Sequence, residues 1–150
     1  MTDPSAGVTT GRPPTGFVVD TSVFQAFLRR RNPELSAYID RVRRDVAMCI
    51  TPVLEGEYKF AARSPAEWAT LDDLCSALVD IPTTREIGAE AVSIIDDLGT
   101  EAHMFGAVQI TDALIASAAL LHDLEIVHND RDYEHIATVR PDLRQTRIRL

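Results

Sequence analysis

The residues of this 150-residue chain best suited to chemistry are carboxylates standing at the ends of apolar runs. Asp20 closes GFVVD, Glu57 lies within TPVLEGEYKFA, Asp112 opens ITDALIASAALLHDL, and Asp130 follows EIVHN, with Asp132 two residues on. If these groups meet, they repel by about 4 kcal/mol per pair at about 4 Å and an effective dielectric near 20, so something positive must sit between them. Their donors are oxygens alone. The four histidines and two cysteines show no HExxH or Cys/His spacing, which argues against zinc. Hard oxygen donors favour Mg²⁺ or Mn²⁺. One such ion acidifies a bound water into a nucleophile, and a second, about 3.5–4 Å away, steadies a leaving oxygen, the arrangement that cleaves phosphodiesters.

Something must bring these positions together, and the pattern of elements supplies it. GFVV, VAMCIT, EIVH and RIRL read as short strands, with LVDIP (78–82) a weaker one whose start overlaps a helical stripe. Helical stripes lie between them: from Asp20 to the Arg29–Arg31 run, about 33–44, about 52–62, from Ser64 onward, 84 to about 98 with Gly99 placed to stop it, about 110–124, and DYEHIA. The segment from Thr100 to Gln109 reads as loop. Such alternation predicts an α/β domain with a central, mostly parallel sheet of four or five strands flanked by helices. In such a sheet strand C-termini and helix N-termini share one edge, where ligands bind. From Asp112 the chain climbs a helix by about 15 Å and returns along a strand by about 13 Å, which brings Asp130 level with Asp112.

Helix phase separates Glu55 from Glu57, which at 100° per residue point to nearly opposite sides. Val53, Leu54, Phe60 and Ala61 fall within about 60° of Glu57, placing it on the apolar face. Glu55 shares the outer side with Lys59, in the Glu-to-Lys order worth about 0.2–0.5 kcal/mol. Glu57 is thus assigned to the site, and Glu55 remains the alternative if the helix starts half a turn differently. Each acid also has a simpler reading: Asp20 as an N-cap, Asp112 as a complement to a helix dipole, Asp130 as a turn residue. Their combination is what points to a site. Thr21, Ser22, Thr111 and Asn129 can hydrogen-bond a carboxylate or a metal-bound water, or act as local caps.

Composition bounds the class of protein. With 45% hydrophobic and 25% charged residues the chain reads as one globular domain, over 16–150, after an N-terminal stretch (1–15) that reads as a flexible tail rather than a signal peptide. No apolar run reaches the roughly 18 residues of a membrane span, and Cys49 and Cys75 read as small core residues, so the expected location is the cytoplasm. A net charge of −8 is unusual for a nucleic-acid binder, which is commonly basic. The charge fits if it is concentrated in a site that divalent cations neutralise. The basic residues cluster elsewhere: Arg29, Arg30, Arg31, Arg41, Arg43 and Arg44 are candidate RNA contacts, or simply a solvated helix face.

With these motifs in place, the sequence resembles the PIN-domain ribonucleases, and among them the VapC-like toxins of bacterial toxin–antitoxin pairs. VVDTSVF resembles the family's opening strand and first metal-binding aspartate; TPVLEGEYKFA resembles its second motif, whose glutamate matches Glu57; TDALIASAALLHDLEIVHNDRDYEHIA matches the third and fourth, aligning aspartates with Asp112 and Asp130. Asp132 can substitute for Asp130 or assist it. The resemblance implies a Mg²⁺- or Mn²⁺-dependent endoribonuclease, a homodimer, and inhibition by a cognate antitoxin protein. The alternative is a PIN-fold module that binds RNA or protein without cleaving.

Overall fold

The computed structural model describes residues 11–150. Five strands, β1 (Gly16–Val19), β2 (Ala47–Ile50), β3 (Val79–Asp80), β4 (Leu124–His128) and β5 (Arg144–Arg147), form one sheet in the order β3-β2-β1-β4-β5. Every pairing is parallel. Seven helices accompany them among the described residues: α1 (Thr21–Leu28), α2 (Pro33–Asp45), α3 (Pro52–Phe60), α4 (Pro65–Ala77), α5 (Arg85–Thr100), α6 (Ile110–His122) and α7 (Arg131–Val139). The α/β class with a parallel sheet is as the alternation predicts.

Local chemistry sets the helix starts. Asn32, Thr51 and Ser64 each accept a hydrogen bond from a backbone N–H three residues on and each precedes a proline at the first helical position. Asp20 and Asp130 cap α1 and α7 in the same manner, accepting from the Ser22 and Asp132 N–H groups. β1 is buried along its whole length because β2 and β4 flank it and helices cover its faces. The core joins Phe17, Val19, Phe24, Leu54 and Tyr58 with Ile94, Ile115, Ile126 and Tyr133. The Tyr58 ring stacks on Phe24 at 3.6 Å between centroids, and its hydroxyl donates to the Val19 carbonyl.

Several boundaries differ from the sequence expectation. The first helix ends at Leu28 rather than running through Arg31, because Arg30 turns left-handed (φ 48°) and Asn32 must stay extended ahead of Pro33. α5 continues past Gly99 to Thr100; the Glu101 and Ala102 N–H groups both reach back to the Asp97 carbonyl and His103 (φ 54°) makes the turn. Gly99 is a packing residue instead, since a Cβ there would lie 3.1 Å from the Phe105 ring. LVDIP shortens to the two residues of β3. The last strand is RQTR, not RIRL: its polar side chains find specific partners, Arg144 on Asp123 at 2.7 Å, Gln145 on His128 at 2.5 Å and Thr146 on Glu125 at 2.5 Å. Of the expected tail, residues 1–10 lie outside the described residues. In the described part, the Arg12 guanidinium pairs with Asp123 at 2.9 Å and the Thr15 N–H donates to the Asp123 carbonyl.

The chain leaves β1 for β2 and β3 on one side and returns through β4 and β5 on the other. The crevice between the C-terminal ends of β1 and β4 is therefore the topological switch point, where parallel sheets bind ligands.

Candidate metal centre

Asp20 stands immediately after β1 at that crevice and is buried to 3% exposure. Its two oxygens are both engaged: Oδ2 accepts the Ser22 N–H at 3.0 Å, and Oδ1 accepts the Tyr133 hydroxyl at 2.6 Å. The same hydroxyl lies 3.4 Å from Asp112 Oδ1. Asp112, in the first turn of α6, is 8% exposed. Oxygens of Asp112, Asp130 and Asp132 fall within 4.8 Å of one another, close enough to share a cation. Asp132 therefore belongs to this trio as fully as Asp130. Asp130 accepts the Asp132 N–H at 2.9 Å, and Asp132 accepts the Gln109 N–H at 3.3 Å.

Electrostatics follow from this crowding. Burial, a hydrogen bond with Asp132 and the charges of Asp20, Asp130 and Asp132 push the Asp112 carboxyl up to about 8. Glu57, half-buried on α3, is also pushed above its ordinary value, chiefly by burial and secondarily by Asp20, against a lowering hydrogen bond from Thr21. The Thr21 hydroxyl donates to Glu57 Oε2 at 3.1 Å. The charge of Asp20 acts on both Glu57 and Asp112. Protons held on acids of this kind are displaced by a cation, and an all-oxygen set of this charge fits a hard divalent ion.

Glu55 points the other way, pairing with Lys59 at 2.6 Å, while Lys59 also reaches Asp72 at 2.7 Å. The face carrying Glu57 differs from expectation in one respect. Leu54 and Tyr58 turn into the core, but Phe60 is 93% exposed and Ala61 is exposed. Val53, Gly56, Glu57, Phe60 and Ala61 instead line an open groove of about 610 Å³, closed on its other side by Thr21, Gln25 and Thr111. An apolar stripe in sequence does not distinguish a core from a groove wall.

Ser22 accepts the Asn129 N–H at 2.9 Å, joining the start of α1 to the end of β4, and the Arg147 guanidinium donates to the Asn129 side chain at 3.2 Å. The candidate arginines are not part of this cluster. Arg29 pairs with Glu67 at 3.2 Å, and Arg30 and Arg31 follow at the C-terminal end of α1, about 12 Å along the helix from Asp20 at 1.5 Å per residue. Arg41, Arg43 and Arg44 are exposed on α2, which leads toward the opposite edge of the sheet, where β2 begins; Arg41 lies over the Tyr38 ring at 5.3 Å.

Two groups escape a reading of the sequence. Tyr133 looks like one more apolar residue of a short helix, yet its hydroxyl touches two of the acids. His128, fully buried, accepts the Asp130 N–H on Nδ1 at 3.0 Å and holds the loop that carries the aspartate pair. The available signal was spacing: Tyr133 stands three residues after the capping Asp130, one turn along the same helix face.

The chain belongs to the PIN domain family, whose pattern matches residues 17–139 and so spans the parallel sheet from β1 to α7 with every one of these acids. Among its relatives is the ribonuclease VapC17 of Mycobacterium tuberculosis, 30% identical over 97 residues, which is 65% of this chain and 71% of that one. Solved structures of the same fold include DNA-bound VapBC from Salmonella typhimurium (TM-score 0.71, 19% identity, 88% of this chain and 97% of that one). Another is VapBC-5 of Mycobacterium tuberculosis, described as a member of the VapBC family of toxin–antitoxin systems (TM-score 0.56, 20% identity, 91% of this chain and 100% of that one).

Proposed function

We propose that this protein is a metal-dependent endoribonuclease, the toxin of a toxin–antitoxin pair, that hydrolyses RNA phosphodiester bonds. One observation carries the reading: a buried Asp112 clustered with Asp130 and Asp132, with Asp20 beside it, at the switch point of a PIN domain. The name ribonuclease borne by VapC17 supports the substrate class, and the toxin–antitoxin description of VapBC-5 supports an antitoxin partner. Asp20, Glu57, Asp112, Asp130 and Asp132 would hold Mg²⁺ or Mn²⁺, and the ion would supply Lewis-acid activation of water and of the phosphodiester. Thr21 fixes the Glu57 carboxylate by its hydrogen bond, Ser22 ties the Asp20 turn to Asn129, and Thr111 borders the groove beside Glu57. Glu55 is held apart by Lys59.

The exposed arginines Arg30, Arg31, Arg41, Arg43 and Arg44, together with the partly engaged Arg29, are RNA contacts remote from the cleaved bond. The protein acts in the cytoplasm as a homodimer. No helix among the described residues is long and apolar enough to cross a membrane. The test is incubation of total cellular RNA with purified, partner-free protein in Mg²⁺, Mn²⁺ or EDTA, alongside Asp112→Asn. Discrete cuts lost with EDTA and with the variant are expected. RNA bound but left whole by folded, metal-loaded protein would favour a non-catalytic binding module.

A further inference from the structure

We infer that Tyr133 is a positioning residue of the metal centre, its hydroxyl holding Asp20 and Asp112 in the orientation that receives a divalent cation. The inference rests on the metal-centre reading above and adds to it a residue with no metal-binding role of its own.

The tyrosine has one place to be. Its side chain is fully buried, and its ring packs tilted against His128 at 4.8 Å between centroids. His128 is itself locked. Its Nδ1 accepts the Asp130 N–H, so the proton sits on Nε2 and is donated to Gln145 Oε1 at 2.5 Å.

From that seat the hydroxyl donates to Asp20 Oδ1 at 2.6 Å and stands 3.4 Å from Asp112 Oδ1. Asp20 is thus gripped at both oxygens, by α7 through Tyr133 and by α1 through the Ser22 N–H. A carboxylate oxygen that accepts one hydrogen bond keeps a second lone pair for a cation. A phenylalanine would fill the same space and remove the hydroxyl that bridges Asp20 Oδ1 and Asp112 Oδ1.

The experiment is calorimetric titration of Mn²⁺ into wild type, Tyr133→Phe and Asp112→Asn. Outer-shell partners of metal ligands are worth about 10–100-fold in affinity, and that weakening is expected for Tyr133→Phe with an unchanged far-ultraviolet spectrum. RNA cleavage by this variant should recover at saturating Mn²⁺ with KM for RNA unmoved, a pattern that a general loss of structure does not produce. Affinity within about twofold of wild type, against the range just given, overturns the positioning role. Asp112→Asn binding Mn²⁺ as wild type does would instead overturn the metal-centre reading, so the two failures are separable. Should Tyr133→Phe fail to fold, wild type labelled with ¹³C at tyrosine Cζ and assigned through Tyr38→Phe and Tyr58→Phe serves instead. The Tyr133 resonance is expected to move on Mg²⁺ addition, and a stationary signal under saturating Mg²⁺ overturns the proposal.

Discussion

Replacing Asp112 by asparagine should stabilise the metal-free protein above neutral pH while destroying its cleavage. In the fold this carboxyl titrates at about 8, and its ordinary value is 3.8. Between those limits the folded chain holds a proton that the unfolded chain has released, so stability falls as pH rises from about 4 to about 8 and then levels off. A like-charged pair at the 4.8 Å limit of this cluster costs about 3.5 kcal/mol at an effective dielectric of about 20. Asp130 and Asp132 are half-exposed, and solvent screening reduces each pair to about 1 kcal/mol. The loss is then about 2 kcal/mol, or about 4–8 °C in Tm for a domain of this size. Thermal melts of wild type and Asp112→Asn in EDTA from pH 5 to pH 9 should therefore diverge upward for the variant. Mn²⁺ at about a hundred times its Kd should return about 2.7 kcal/mol to wild type and little to the variant. Parallel pH curves for the two proteins would refute the reasoning, because the charge removed would then have carried no repulsion.

Glu57→Gln should lower metal-dependent RNA cleavage by about 100-fold, whereas Glu55→Gln, which removes only a surface partner of Lys59, should leave cleavage unchanged and cost at most about 0.5 kcal/mol in urea melts. Arg140→Ala should destabilise by about 1–3 kcal/mol, since that guanidinium clasps α7 to α5 through Glu90, Asp97 and Ser93; chemical denaturation measures it. Gly16→Ala should cost about 1–3 kcal/mol, because the new Cβ would lie 2.9 Å from the Ala47 carbonyl and 2.8 Å from Cys49 Sγ; a melt matching wild type would show that β1 and β2 can part.

Much of the architecture can be read from periodicity, because short apolar strands and striped helices alternate and every helix start but that of α6 carries a side-chain cap. The same caps explain why Asp20 and Asp130 have two readings in sequence: each does cap a helix, and each stands at the crevice. Helix phase sets Glu57 and Glu55 on opposite sides, as their partners Thr21 and Lys59 reflect. What periodicity cannot express is where an element lies relative to a distant one. Tyr133 meets Asp20 only because α7 begins over the end of β1, and Phe60 is exposed because none of the described elements covers α3 on that side. RQTR is a strand by virtue of its partners on β4 rather than of its own composition, and no pattern within those four residues announces it.

The middle position of β1 has a consequence for how the protein comes into being. Asp20 emerges well before β4, the strand that completes its setting, and before the tyrosine that orients it; 113 residues separate Tyr133 from Asp20. Pairings this distant are made late, since the intervening loop must close before they yield any stabilisation. A nascent chain that has not yet reached α7 therefore carries acidic residues without a centre, and the chemistry proposed here is withheld until β4 and α7 have joined β1.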